Sequence, residues 1–152
     1  MRLAIIALFM LTVFSISFAE DFVAINSMDG RDVLSGIFYA NAKGFPVKFM
    51  PYPGGDADIF AAKIGSNHNI LLIQGNITVS AFVESALAAK NNTVEVFSST
   101  DGGSTNLELA KRSGASTFII VDSSYSDSAV SVMPYAAKKK AYVILADKNN
   151  IG

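Results

Sequence analysis

Two clusters of oxygen-bearing side chains stand 96 positions apart in this chain: Asn26, Ser27, Asp29, Arg31 and Asp32, and then Asp122, Ser123, Ser124, Tyr125 and Asp127. Short hydroxyl, amide and carboxylate groups on a loop that opens a helix suit sugar hydroxyls or phosphates, because side-chain groups and helix-end N–H groups then face one place. Ser27, Asp29, Arg31, Asp32, Ser123, Ser124 and Asp127 are therefore the candidate contact residues. Helix capping explains Ser, Asn and Asp at such places without any ligand. Arg31 is the residue that capping explains least.

Other groups invite chemistry and fall short of it. Asp56 and Asp58 could form a carboxylate pair or a calcium site, but two carboxylates in a glycine turn define neither, and acidic residues at a helix start favour the dipole. His68 is the single histidine, between Asn67 and Asn69, with no triad or zinc partner at a recognisable spacing, and reads as an exposed loop residue. Asp101-Gly102-Gly103-Ser104 matches neither a dinucleotide nor a phosphate-loop fingerprint and reads as a flexible loop. Cysteine is absent, which excludes disulfides and thiolate metal sites. No cofactor or metal is expected. Asn76-Ile77-Thr78 and Asn91-Asn92-Thr93 are sequons, so Asn76 and Asn91 could carry glycans in a suitable host.

The elements that must position these residues follow from periodicity. Short β-branched runs near 22–26, 46–50, 70–73, 93–97, 117–121 and 141–145 read as strands. Helical patterns occupy 31–43, 57–64, 79–90, 105–112 and 127–139. Ile70 to Ile73 and Phe118 to Val121 are continuously apolar, as in strands buried on both faces. Strict β, α alternation then predicts an α/β fold: a Rossmann-like parallel sheet with helices on both faces. Gly44, Gly65 and Gly114 fall just after helix ends, Asn76 to Thr78 and Ser123 to Asp127 supply caps at helix starts, and Pro53-Gly54-Gly55-Asp56 is a turn.

Residues 21–51 match residues 117–147 without gaps at seven of thirty-one places: Phe22/Phe118, Ser27/Ser123, Ser35/Ser131, Tyr39/Tyr135, Ala40/Ala136, Lys43/Lys139 and Val47/Val143. Chance gives about two, so the chain carries an internal repeat headed by a strand, helix, strand unit. Residues 20–116 form a first module and 117–152 the start of a second, about one and a third modules with no linker between them. Val33, Leu34, Ile37, Phe38, Tyr39 and Ala40 spread over more than one stripe of the first helix. That helix should be covered by something beyond its own sheet, with Leu34, Ile37, Phe38 and Tyr39 as module-packing residues.

Met1 to Ala19 reads as a signal peptide: Arg2 is the basic start, Leu3 to Phe14 is almost wholly apolar, and Ser17-Phe18-Ala19 offers small residues for cleavage. The mature chain then carries 13 acidic against 11 basic residues and no basic stripe for nucleic acid; Lys138 to Lys140 reads as the solvated end of a helix.

Asn106 to Lys111, Ser116 to Val121, Asp127 to Ser131, Pro134 to Lys139 and Val143 to Leu145 resemble the cell wall-binding type 2 repeat of bacterial and archaeal surface proteins. Ile70 to Gly75, then Val79-Ser80, Val83-Glu84 and Leu87, are similar to the middle of that module. The family's Gly-X-Asp-Arg-Tyr-X-Thr signature would fall at Ser98 to Thr105, where the arginine and tyrosine are missing, and Gln74 stands in place of a glycine. The resemblance implies Rossmann-like modules, three of which commonly pack around a pseudo-threefold axis and hold a secreted protein non-covalently on an anionic wall polymer. The chain is then expected to anchor to envelope polymer or to contribute to the surface layer, without catalysis. It also implies further modules, of the same or a neighbouring chain, as partners. Two alternatives differ in class: an α/β receptor for a small ligand or carbohydrate, which should have two complete lobes, and a hydrolase using Asp29, Asp32 or Asp127, which should place a nucleophile beside a base.

Overall fold

The structure is a computed structural model that describes residues 21–51, 55–124 and 126–147. The expected signal peptide, Tyr125 and the first half of the turn at 53–56 lie outside the described residues. Six strands and five helices alternate among them: β1 (Phe22–Asn26), α1 (Gly30–Lys43), β2 (Val47–Phe49), α2 (Ala57–Ile64), β3 (Asn69–Gln74), α3 (Val83–Ala88), β4 (Thr93–Ser98), α4 (Gly102–Ser113), β5 (Phe118–Asp122), α5 (Ser126–Lys139) and β6 (Tyr142–Ala146). The fold is α/β and Rossmann-like. Every strand pair is parallel. The strands nevertheless divide into a four-stranded sheet, β2-β1-β3-β4, and a separate pair, β5-β6.

Alternation along β1 and β3 explains the layers. Val23, Ile25, Leu71 and Ile73 join Phe38 and Tyr39 of α1 and Leu109 of α4 in one core. Phe22, Ala24, Ile70 and Leu72 join Phe60 and Ile64 of α2 and Val83 and Leu87 of α3 in the other. A sheet buried on both faces needs such continuous apolar strands. Gly36 lets α1 lie close on the sheet, since a Cβ there would fall 2.5 Å from the end of the Ile25 side chain.

The first core extends past α1 and α4 to Tyr142, Val143 and Leu145 of β6 and Ala129 and Ala136 of α5. Phe38 meets the Tyr142 ring edge-on, with centroids 6.2 Å apart. Tyr39 is buried, Leu34 and Ile37 are half-buried in the same core, and Ile37 and Phe38 line an apolar groove between α1 and α5. The wide apolar surface of α1 is thus covered by the β5-α5-β6 unit of its own chain.

That unit reproduces β1-α1-β2 in detail. Val23 pairs with Val47, and their counterparts Ile119 and Val143 also pair, so both registers are 24 residues. The helix ends match too: Phe45 N donates to Ala40 O at 2.8 Å and Ala141 N to Ala136 O at 2.9 Å. Gly44 and Lys140 both adopt the left-handed conformation, with φ of 76° and 50°.

Two helix starts differ from expectation. Asn26 captures the chain at Val79 and Ser80, its Oδ1 accepting from both N–H groups at 3.0 and 3.1 Å and its Nδ2 donating to Ser80 O at 2.8 Å. Residues 79–82 are held out of the helix, and α3 begins only at Val83 without a side-chain cap. Conversely, the segment read as a flexible loop at 101–104 starts α4: Asp101 Oδ1 accepts from Gly103 N and Ser104 N at 2.9 and 3.0 Å.

Candidate functional site

The loops after β1, β3, β4, β5 and β6 lie at the carboxyl ends of the strands, where parallel α/β sheets bind ligands. The order β2-β1-β3-β4 places the switch of direction between β1 and β3. At that crevice the chain's own groups meet: Gly75 N donates to Asn26 O at 3.1 Å and Met28 N to Ile77 O at 2.9 Å.

Beneath these contacts lies a buried hydroxyl–carboxylate network. Ser27 Oγ donates to Asp32 Oδ2 at 2.6 Å, and Ser99 Oγ donates to Asp32 Oδ1 at 3.0 Å. Ser99 is in turn hydrogen-bonded to Thr105. Asp32 is 1% exposed, so both of its oxygens are committed inside the protein. Gly75 makes room for this pair, because a Cβ there would fall 2.0 Å from Ser27 Oγ and 2.9 Å from Asp32 Oδ2. Of the predicted contact residues, Ser27 and Asp32 therefore shape the loop from within.

Asp29 and Arg31 form its outer rim. Asp29 caps α1, its Oδ1 accepting from Arg31 N at 2.8 Å. The Arg31 guanidinium returns to the same carboxylate, through Nε at 3.2 Å and Nη2 at 2.8 Å. This hydrogen bonding lowers the Asp29 pKa and raises that of Arg31, which also feels the charges of Asp101 and Asp147. Arg31 is thereby explained by its own cap residue. Gly102 admits the start of α4 beside it, since a Cβ would fall 2.5 Å from Arg31 Cβ. The Ser104 hydroxyl, donating at 2.6 Å, holds the Asp101 pKa down. One guanidinium among three carboxylates leaves this rim acidic.

The second cluster adjoins the first. Ser123 N donates to Ala146 O at 2.8 Å, tying the loop after β5 to the end of β6, and the next residue is the Asp147 that acts on Arg31. Asp122 Oδ1 accepts from Ser124 N at 2.8 Å, which lowers its pKa. Ser124 and Asp127 are exposed, and Ser123 is half-buried.

The remaining candidates sit elsewhere. Asp56 caps α2, accepting from Asp58 N and Ile59 N at 2.8 and 3.1 Å. His68 is half-buried at the opposite end of the sheet, its Nδ1 3.9 Å from Asp21. Asn76 and Asn91 are both exposed. No group of three His, Cys, Asp or Glu residues able to hold a metal occurs among the described residues.

One residue escaped sequence reasoning. Asn106, fully buried in α4, accepts from Leu145 N at 2.8 Å through Oδ1 and donates from Nδ2 to Val143 O at 3.1 Å and Ser35 Oγ at 3.0 Å. Tyr142 Oη donates to Asn106 O at 2.9 Å. The amide thus occupies the outer edge of β6 much as a neighbouring strand would. An Asn inside an amphipathic stretch carries no such signal.

Comparison with family models, curated proteins and solved structures returns no match.

Proposed function

We propose that the chain is an exported, non-catalytic cell-surface protein whose repeated units attach it to envelope polysaccharide through their strand-end loops. The observation that carries this reading is the joining of the two repeated clusters, through Ala146 and Asp147, into one polar edge. Two neighbouring polar loops suit a repeating ligand, since two weak contacts on one polymer reinforce each other. The resemblance to cell wall-binding repeats supports the same reading.

The electrostatics narrow the ligand. Asp29, Asp101, Asp122, Asp127 and Asp147 line this edge, and Arg31 is engaged by Asp29. An anionic polymer would be repelled, whereas sugar hydroxyls can donate to these carboxylates. The ligand is therefore a neutral, polyhydroxylated chain.

Co-sedimentation with purified neutral envelope polysaccharide tests this. Binding should exceed that to an inert matrix, change little with salt, and weaken several-fold in a Ser124→Ala/Asp127→Ala double variant that keeps the wild-type unfolding midpoint. Equal retention by the inert matrix would reject the proposal. Binding that collapses above about 0.15 M salt would point instead to an anionic ligand held by charge.

A further inference from the structure

Exposed sheet edges invite pairing with other chains, and proteins blunt them with short strands, charges or covering groups. Three of the four outer edges here are treated in this way. β2 has three residues and carries Lys48. β4 carries Glu95, paired with Arg112 at 2.8 Å. β6 has Asn106 against Val143 and Leu145. β5 carries a charge only at its last residue, Asp122, and the four residues before it, Phe118 to Val121, are all apolar.

The repeat states what such an edge is built to meet. In a parallel pair, alternate residues turn both N–H and C=O to the same neighbour. Thr117 and Ser123 bond to the β6 strand and its flanks, so Phe118, Ile120 and Asp122 turn their backbone groups to the open side. Their counterparts Phe22, Ala24 and Asn26 lie on the side of β1 that pairs with β3, in the register Phe22 to Ile70 through Asn26 to Gln74. The sheet faces that carry these residues differ in cover as well. Phe22 and Ala24 are 7% and 0% exposed, whereas Phe118 and Ile120 are 46% and 66% exposed.

We infer that the open edge of β5 is a docking site for a parallel, continuously apolar strand of the β3 type, supplied by another repeat unit. Such a strand extends the β5-β6 pair as β3 extends β1-β2. Its first apolar residue lies opposite Phe118 and its last polar residue opposite Asp122. This inference rests on the repeat-module reading of the chain and not on the identity of its polysaccharide. Polymer co-sedimentation and strand docking therefore fail separately.

The test uses the full chain and a labelled peptide of residues 66–76 with a solubilising Lys-Lys tail, followed by fluorescence anisotropy. Ile120→Pro removes an N–H that β6 does not use, and Ile120→Lys places a charge on the same edge. Both should keep the wild-type unfolding midpoint. Saturable binding is expected, at least tenfold weaker for both variants and absent for a scrambled peptide. A spin label at the Ser66 end should broaden signals near Phe118 rather than near Asp122. Binding no tighter than that of the scrambled peptide, equal binding to both variants, or broadening centred on Asp122 would each overturn the inference. Self-association through β5 that the peptide fails to displace would overturn it as well.

Discussion

Replacing Asn106 by alanine should loosen the second sheet from the first. The side chain serves Leu145 N–H, Val143 C=O and the Ser35 hydroxyl, all within 3.1 Å, and Leu145 and Val143 are themselves buried. Two backbone groups of β6 would lose their partner in a dry interior, each costing about 1–3 kcal/mol. The sum of about 2–6 kcal/mol is a large part of the 5–15 kcal/mol that typically separates folded from unfolded domains. The loss should also be local. Among the described residues the β5-β6 pair is joined to the rest of the core chiefly through α1, α4 and α5, so amides of β5 and β6 should exchange faster while those of β1 and β3 keep most of their protection. Urea unfolding gives the total and hydrogen exchange its distribution. A loss below about 0.5 kcal/mol, with unchanged exchange at Leu145, would refute the view that this amide holds the two units together.

Further outcomes follow from single sites. Burial raises the Tyr142 pKa, so its neutral form stabilises the folded state fully below the unfolded value of 10.0. Stability should fall by about 1.4 kcal/mol per pH unit above that point, and Tyr142→Phe should remove this alkaline limb from the midpoint-against-pH curve. The lowered Asp29 pKa runs the other way: its contribution is present above the unfolded value of 3.8 and is lost as pH falls through the folded one. Thermal midpoints below pH 4 should accordingly decline less steeply in Asp29→Asn. Gly75→Ala, which pushes a methyl group onto Ser27 and Asp32, should cost about 1–3 kcal/mol in urea unfolding. Lys140→Gly should stabilise by about 1 kcal/mol, because Lys140 holds a left-handed cap that glycine adopts freely.

Much of this molecule was legible before folding, for reasons specific to each element. The apolar run Ile70 to Ile73 is buried inside a parallel sheet as its pattern indicates, whereas the like run Phe118 to Val121, expected to be buried on both faces, lies in a two-stranded pair with Phe118 and Ile120 exposed. Glycines after helices mark helix ends, so strand order along the chain and most helix ends could be read directly. The repeat was legible as well, because identities such as Ala40/Ala136 and Val47/Val143 sit where a helix cap and a strand register must be kept. The helix starts at 83 and 102 were not, since one depends on Asn26 reaching 53 residues along the chain and the other on glycines that are packed rather than mobile. The site was half legible. Residue types marked the loops, but whether a serine or aspartate turns inward, as Ser27 and Asp32 do, or outward, as Ser124 and Asp127 do, depends on neighbours from β3, β4 and α4.

Local patterning thus determined the α/β alternation, the parallel sense and the duplication, because each follows from periodicity within a few dozen residues. Only tertiary structure decided that the strands part into a sheet of four and a pair, and that α1 is shielded from within the chain. It also gave Asn106 an edge to cover and left β5 paired on one side alone among the described residues. Those outcomes depend on which surfaces meet across 36 to 107 residues of sequence, as in the bonds of Tyr142 to Asn106 and Ser35, and no local pattern encodes such a meeting.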